Sequence, residues 1–114
     1  MDLYYSEDLL KGWVPHPMNP IVKHNGNIAR PGGRVFFCND KLYRLTQDDF
    51  PKYGIQVFAF EITELTEKSY TEKMVSEEAV VTGTSVGWNA TGMHNVDPHK
   101  VEKGWIAAVD GRSK

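Results

Sequence analysis

The stretch Arg34-Val-Phe-Phe-Cys-Asn-Asp-Lys-Leu-Tyr-Arg-Leu-Thr46 decides the fold of this chain. Its two runs of apolar and aromatic residues, 34–38 and 41–46, have the composition of β-strands. They flank a link of two residues, Asn39 and Asp40, which both tolerate the positive φ of a tight turn. The stretch therefore predicts an antiparallel β-hairpin at the centre of the chain.

The residues that follow extend this hairpin into a sheet. Residues 54–62 are largely apolar at both alternate positions, which is typical of a strand covered on both faces. Residues 63–66 have the composition of a turn or a single helical turn, and residues 69–75 form a more polar strand candidate. The sequence thus predicts a mainly β chain, with four antiparallel strands in meander order between residues 30 and 75.

A second sheet begins near the C-terminus and is incomplete. Its strand candidates are residues 93–96 and 105–109, and they make up a unit of residues 92–111. Between the two sheets, Val80-Val81 suits a short strand and residues 83–87 a loop. Bare strand edges invite pairing with other chains, so we expect a homo-oligomer. The alternative is that residues 1–29 wrap back over the edge.

Residues 1–29 are expected to be an irregular N-terminal segment of a single domain, 1–114. Ser6 is a suitable cap for a short N-terminal helix, in which Leu9 and Leu10 would be the buried contacts. Three prolines within residues 13–20 predict extended chain that lies against another part of the fold.

Composition excludes several classes of function. The chain has 114 residues and a formal net charge of -2, which provides no field to gather phosphates, so nucleic-acid binding is not expected. No apolar run approaches the roughly 18 residues of a membrane helix, and no secretory signal is recognised, so we expect a cytoplasmic protein without membrane contact. The single cysteine, Cys38, has no partner for an internal disulfide and suits a small core residue.

Charged residues gather around the end of the central strand. Arg30 and Arg44 are close in sequence to Asp48 and Asp49, and Tyr53 opens the next strand. A guanidinium beside a carboxylate suits either bidentate recognition of a ligand or a structural pair that locks a loop. The residue types alone favour the structural pair.

Histidine and tryptophan residues are further site candidates. His94, Asp97 and His99 are close in sequence, but their spacing matches no strict metal-binding pattern, so neither a metal nor a cofactor is expected. Trp105 lies in an apolar run and suits core packing, whereas Trp88 lies in a loop and is equally suited to an exposed platform.

A family resemblance covers about residues 13 to 111. Its segments occur in order and comprise residues 16–22, 29–34, 41–44, 47–48, 53–54, 62–65, 70–72, 92–97 and 105–111. Together they resemble the N-terminal domain of glucosamine inositolphosphorylceramide transferases and its bacterial relatives. The resemblance implies a fragment of a five-bladed β-propeller like those of glycoside hydrolases of the arabinanase and levansucrase groups.

The resemblance also implies a candidate ligand-binding set near the funnel end of the propeller. Its members occupy matching positions and are Arg30, Arg44, Gln47, Asp48, Tyr53 and His94. The resemblance makes residues 30–72 one four-stranded blade and residues from Gly92 onward the start of the next. The chain departs from the family pattern at Asp49-Phe50-Pro51, where relatives often carry a Cys or Gly followed by a small residue.

Three functions follow as hypotheses. The first is a non-catalytic binding module of propeller type for a carbohydrate or other polar small molecule, acting as a self-associated assembly. The second is a glycoside-hydrolase-like enzyme whose site is shared between subunits, with Asp48 and Asp110 as candidate catalytic carboxylates and Glu61 as a poorer one. The third is a structural or regulatory interaction protein without a small ligand.

Overall fold

A computed structural model describes all 114 residues of the chain. The chain forms ten β-strands and one short 3₁₀ helix. In chain order they are β1 (Tyr4–Tyr5), β2 (Val14–Pro15), β3 (Arg30–Pro31), β4 (Phe36–Cys38), β5 (Lys41–Asp48), β6 (Gln56–Leu65), β7 (Tyr70–Met74), β8 (Val81–Thr82), the 3₁₀ helix (Gly87–Asn89), β9 (Val96–Val101) and β10 (Gly104–Val109). No helix of the chain has the length and apolar character needed to cross a membrane.

The main sheet has six antiparallel strands and confirms the predicted meander. Its order is β3-β5-β6-β7, with β4 also paired to β5 and β8 also paired to β6. The turn between β4 and β5 has the expected positive φ values, 49° at Asn39 and 60° at Asp40. These two residues therefore set the register in which β4 pairs with β5.

Strand β6 is covered on both faces, as predicted, since no residue from Gly54 to Ile62 is exposed. The turn predicted at residues 63–66 is wrong, because β6 continues to Leu65 across a register shift between Ile62 and Glu64. The chain instead turns at residues 66–69. There the Thr66 hydroxyl accepts hydrogen bonds from the backbone amides of Lys68 and Ser69. A β-bulge of this kind lets a strand continue past a local irregularity.

Strands β9 and β10 form a separate two-stranded antiparallel hairpin. The predicted strand at residues 93–96 is wrong in its bounds, because β9 begins at Val96 and continues through Pro98. A proline is tolerated there because β9 has β10 as its single strand partner, so the missing amide can face away from the ladder. The Val96 amide instead donates to the Gly32 carbonyl at 2.7 Å and joins the hairpin to the main sheet.

A small core lies between the main sheet and this hairpin. Leu45, Val57 and Val96 form its buried centre. The Trp105 ring packs edge-on against Phe36, with 5.6 Å between ring centroids, although 38% of Trp105 stays exposed. In all, 17 of the 114 residues are buried, so a modest hydrophobic contact holds the hairpin on the sheet.

The predicted N-terminal helix is absent, and its sequence forms a β-hairpin turn instead. The Ser6 hydroxyl donates to the Lys11 carbonyl and accepts from the Asp8 amide, so the side chain stabilises a turn rather than a helix start. Leu9 and Leu10, the expected buried contacts, are 79% and 88% exposed. Helix nucleation is unfavourable, and a short helix is stable only when its apolar face packs against the fold. This segment has no such packing.

The proline-containing stretch lies against the main sheet, as its composition predicts. His16 is 3% exposed, and its Nε2 lies 3.0 Å from the Thr66 carbonyl oxygen. The N-terminal ammonium donates to the Val22 carbonyl at 2.6 Å. Residues 1–29 thus contact the main sheet at two places, the β6–β7 turn through His16 and Met18 and strand β5 through Asn27 and Ile28.

The chain exposes more surface than a compact monomer of its size. Its accessible surface is 7670 Å², whereas a folded monomer of this mass exposes about 6,300 Å². Its radius of gyration is 15.2 Å, against about 13 Å for a compact domain of this length. Exposed apolar side chains contribute to this surface both in loops, such as Leu10 at 88%, and on strands, such as Ile106 at 64%.

Gly33 provides a test of the junction between the sheet and the hairpin. A Cβ on Gly33 would lie 1.9 Å from the Val96 carbonyl oxygen, which is backbone and has no easy way to move. We expect Gly33→Ala to lower the free energy of unfolding by about 1 to 3 kcal/mol or more, measured by urea denaturation. Gly26→Ala is the matched control, because its Cβ would meet Phe50 at an ordinary 3.4 Å. Equal stability of the two variants would contradict this account of the junction.

Candidate functional site

The two faces of the main sheet divide the predicted ligand-binding residues. Successive side chains of a strand point to opposite faces, so Arg44 and Asp48 lie on one face of β5 and Gln47 on the other. Arg30 of β3 pairs directly with Gln47, so its side chain shares the face of Gln47. The structure therefore does not bring all six predicted residues together.

Arg30 and Tyr53 meet at the end of the sheet. The Arg30 guanidinium carbon lies 5.2 Å from the centroid of the Tyr53 ring, which is within the range of a cation–π contact. An Arg30 Nη1 atom also lies 3.9 Å from a carboxylate oxygen of Asp49. The Arg30 side chain is 59% exposed and Tyr53 is 46% exposed, so both remain open to a ligand.

His94 continues this group of side chains. Its ring lies edge-on to Tyr53, with 4.9 Å between ring centroids, and its Nδ1 lies 2.9 Å from Asp110 Oδ2. A carboxylate only accepts hydrogen bonds, so Nδ1 is the donor in this contact. Backbone amides of His94 and Asn95 donate to Asp110 Oδ1 and fix that carboxylate. We call Arg30, Asp49, Tyr53, His94 and Asp110 the Tyr53 cluster.

Two local features hold the Tyr53 cluster in place. Gly54 has a φ of +70°, and a Cβ there would come within 3.2 Å of the His94 side chain. Arg112 donates from its guanidinium to the Tyr53 carbonyl at 2.9 Å. The contribution of Arg112 was missed in the sequence, because a lone arginine after Asp110-Gly111 has no motif around it.

Gln47 lies on the face of the cluster and is almost fully buried, with 8% exposure. Its Nε2 donates to the Pro31 carbonyl at 3.0 Å, whereas its Oε1 has no hydrogen-bond partner. A buried acceptor without a partner costs about 1 to 3 kcal/mol. This oxygen is therefore an unused acceptor next to the strand that carries Arg30.

Arg44 belongs to a buried ion pair on the opposite face. Its Nη2 donates to Glu72 Oε1 at 2.7 Å, its Nε donates to Glu72 Oε2, and its Nη1 donates to the Ile28 carbonyl. The Tyr70 hydroxyl also donates to Glu72, at 2.6 Å. The side chains of Arg44 and Glu72 are only 5% and 13% exposed. Arg44 is thus in a structural ion pair, as the residue types favoured, but its partner is Glu72 rather than Asp48 or Asp49.

The ionisation of this buried group follows from its contacts. Burial alone would raise the pKa of Glu72, but hydrogen bonds from Arg44 and Tyr70 and the charge of Arg44 hold it below its ordinary value. Burial and the neighbouring carboxylate raise the pKa of the Tyr70 hydroxyl well above its ordinary value. Glu72 is therefore charged and Tyr70 neutral at pH 7.

Asp48 also makes structural contacts. Its Oδ1 accepts from Asn27 Nδ2 at 2.7 Å, its Oδ2 accepts from Gln56 Nε2 at 2.9 Å, and its residue exposure is 5%. Asp110 by contrast contacts His94 and has a 43% exposed side chain. The two candidate carboxylates share no hydrogen-bond partner.

Glu61 lies between two lysines at the outer part of the sheet. Its carboxylate is 3.3 Å from Lys41 Nζ and 3.5 Å from Lys73 Nζ. Burial would raise the pKa of Glu61, but the two ammonium groups lower it. This carboxylate is held as an anion and has no proton to give at neutral pH.

His94 and His99 contact two different aspartates and so do not share a site. His99 lies 3.6 Å from Asp97, whereas His94 contacts Asp110. Hydrogen bonds from Arg34 to Asp97 lower the pKa of that carboxyl group to about 2. The ion pair between Arg34 and Asp97 thus joins β9 to the residues just before β4.

Trp88 is 59% exposed, and its ring packs against Gly111. A Cβ on Gly111 would lie only 2.5 Å from the ring. Close packing on one side therefore leaves part of the Trp88 ring open, next to the chain that carries Asp110.

The fold and the cluster define an antiparallel β domain with an exposed aromatic and charged surface at one end of its main sheet. The family model described as "Glucosamine inositolphosphorylceramide transferase 1, N-terminal" matches residues 1–112. The chain therefore belongs to the family of N-terminal domains of glucosamine inositolphosphorylceramide transferase 1, which confirms the resemblance found in the sequence.

The relatives are much longer than this chain. Glucosamine inositolphosphorylceramide transferase 1 of Oryza sativa subsp. japonica is 34% identical over 116 residues, and the protein of the same name from Arabidopsis thaliana is 36% identical over 115 residues. Both alignments cover 97% of this chain and 15% of the relative. No solved structure matches the chain.

Glu72 provides a test of the structural assignment of Arg44. We expect Glu72→Gln to lower the free energy of unfolding by about 3 to 5 kcal/mol at pH 7, because it leaves the Arg44 charge buried without a partner. Because the pKa of Glu72 is lowered on folding, the stability it contributes is present above its ordinary pKa and is lost as pH falls through the folded value. The free energies of unfolding of Glu72→Gln and of the unsubstituted chain, measured by denaturation, should therefore converge in acid.

Glu77→Gln is the matched control for this prediction, since Glu77 is exposed. Its stability should stay within about 0.5 kcal/mol of the unsubstituted chain. A Glu72→Gln variant as stable as this control at pH 7 would show that the ion pair is not structural.

Proposed function

We propose that this chain is a non-catalytic binding module for a carbohydrate and that it works as a self-associated assembly. The observation that carries this proposal is the Tyr53 cluster, in which an exposed aromatic ring adjoins an exposed guanidinium and an oriented imidazole. A sugar ring presents apolar C–H groups to an aromatic face and hydroxyl groups to charged partners at its edge. The cluster offers both kinds of contact within one surface.

The hydrogen-bonding capacity of the cluster also suits a polyhydroxylated ligand. Arg30 keeps donors free because its contact with Asp49 is long, at 3.9 Å. The carboxylates of Asp49 and Asp110 supply acceptors, and Asp110 remains 43% exposed. Donors and acceptors at the rim of an aromatic platform match the alternating hydroxyl groups of a sugar.

The names of the relatives agree with this class of ligand. Each is called glucosamine inositolphosphorylceramide transferase 1, a name that contains an amino sugar. An amino sugar carries an ammonium group, and the exposed carboxylate of Asp110 is a suitable partner for it. This agreement supports a sugar ligand but does not depend on the transferase activity of the longer proteins.

Self-association and a propeller-type arrangement complete the proposal. The excess of accessible surface and the small core support association, because a partner would cover strands that are otherwise bare. A four-stranded meander followed by an isolated hairpin is also the order expected for one propeller blade and the beginning of the next.

An enzyme acting on glycosidic bonds is the second candidate, and the His94–Asp110 pair is the observation that favours it. A carboxylate that orients an imidazole is the usual support of a general base. A glycosidase, however, needs two carboxyl groups facing one another at roughly 5 to 9 Å. Asp48 is only 5% exposed and its oxygens accept hydrogen bonds from Asn27 and Gln56, so it is poorly placed to reach a substrate as the second one.

Substitutions in the Tyr53 cluster test the binding proposal. We expect Tyr53→Ala and Arg30→Ala each to weaken binding of a monosaccharide by about tenfold, or roughly 1.4 kcal/mol. The measurement is NMR titration of the folded chain with a panel of monosaccharides that includes glucosamine.

Phe37→Ala is the matched control for these titrations. Phe37 is 69% exposed and lies beside the β4–β5 turn, at the opposite end of β5 from the cluster. Its loss should leave binding unchanged. Failure of the unsubstituted chain to bind any sugar of the panel would contradict the proposal.

Asp48 separates the two candidate functions. We expect Asp48→Ala to reduce the free energy of unfolding by about 1 to 3 kcal/mol, because Asn27 and Gln56 lose their acceptor, and to leave sugar affinity unchanged in the folded protein. Thermal unfolding and the same NMR titration measure the two effects. An Asp48→Ala variant that stays stable but loses a glycosidase activity of the chain would favour the enzyme instead.

A further inference from the structure

Strand β10 has a free edge. It pairs with β9 on one side and with no strand on the other. Five of its six residues are exposed, including Ile106 at 64% and Val109 at 44%. An apolar run with exposed residues on both faces is unusual, because such a run normally occupies the interior of a sheet. Only the Trp105 ring finds cover, against Phe36.

The backbone of β9 shows which groups of β10 are free. The Val96 amide donates to Gly32, away from β10, and Pro98 has no amide to donate. In an antiparallel ladder such outward positions alternate, so Val96, Pro98 and Lys100 face away from β10. Their register partners Val109, Ala107 and Trp105 therefore face away from β9, with their amides and carbonyls unpaired.

The two edges of the hairpin differ in how they are protected. The outer edge of β9 carries Pro98 and lies among the charged or titratable residues Asp97, His99 and Lys100. Prolines and charges are the usual features that block pairing at a sheet edge. Residues 105–109 of β10 contain neither a proline nor a charge, so this edge is open to another strand.

The exposed area of the chain is large enough for a stable dimer. The accessible surface of 7670 Å² exceeds that of a compact monomer by about 1,400 Å², whereas a standard interface takes about 800 Å² from each partner. Residues 1–29 contact the main sheet at the β6–β7 turn and at strand β5 and leave β10 uncovered. A second copy offers the same uncharged edge, and identical strands pair antiparallel about a two-fold axis.

We propose that two copies of the chain associate through antiparallel pairing of β10 with β10, centred on Ala107. In this register Ala107 pairs with Ala107 of the partner subunit, and Trp105 pairs with Val109 of the partner subunit. All three outward-facing residues of each strand then exchange backbone hydrogen bonds, about six in total. The two hairpins become one four-stranded sheet. This inference rests on the proposed self-association and gives it a location.

The test is the solution mass of the 114-residue chain by light scattering and sedimentation over a range of concentrations. We expect the unsubstituted chain to approach twice 12.9 kDa. Ala107→Pro removes the central outward amide but no bond to β9, so it should weaken dimerisation at least tenfold. Lys100→Pro is the matched control, because it removes an outward amide from the β9 edge and should leave the dimer intact.

A second pair of variants guards against misfolding caused by proline. Ile106→Lys adds a charge at an already exposed position of β10 and should also weaken dimerisation at least tenfold. Val101→Lys adds the same charge to β9 and should have no effect. If the chain dimerises but neither β10 variant weakens the dimer, the interface is elsewhere and self-association stands. If the chain is monomeric at every concentration, both the interface and the self-association are wrong.

Discussion

The alternation of side chains along β5 is the constraint on which the rest of the structure depends. Leu45 and Gln47 face the core between the sheet and the β9–β10 hairpin, whereas Arg44 and Asp48 face the covering N-terminal segment. One strand therefore holds both layers of the protein to a single sheet. A shift of its register by one residue would bury two charges in the hydrophobic core and place Leu45 among the polar partners of Arg44 and Asp48.

The strand pattern was predictable from the sequence, whereas the division of the charged residues was not. The Asn39-Asp40 turn and the apolar run of residues 54–62 are local signals, and both were correctly interpreted. The expectation that Arg30 and Arg44 share a site rested on their closeness in sequence and on the family resemblance. Arg30 does meet Asp49 and Tyr53. The role of Arg44 is decided by Glu72, a partner far along the chain that no local pattern reveals.

The prediction of an N-terminal helix was wrong for a related reason. Ser6 followed by two acidic residues is a good helix start in isolation, and a helix needs an apolar face buried against the fold. Leu9 and Leu10 have no such surface to pack against and are exposed. The same side chain that would cap a helix instead stabilises a turn, and tertiary packing decided between the two outcomes.

The proposed dimer and the proposed ligand site are linked through the end of β10. Asp110 directly follows Val109, and its carboxylate orients the His94 ring and binds two backbone amides. Pairing of Val109 with Trp105 of the partner subunit would order the backbone one residue before this carboxylate. Ordering a ligand-contacting group before the ligand arrives lowers the entropic cost of binding. Association through β10 would thus raise the affinity of the Tyr53 cluster without adding a contact to the ligand.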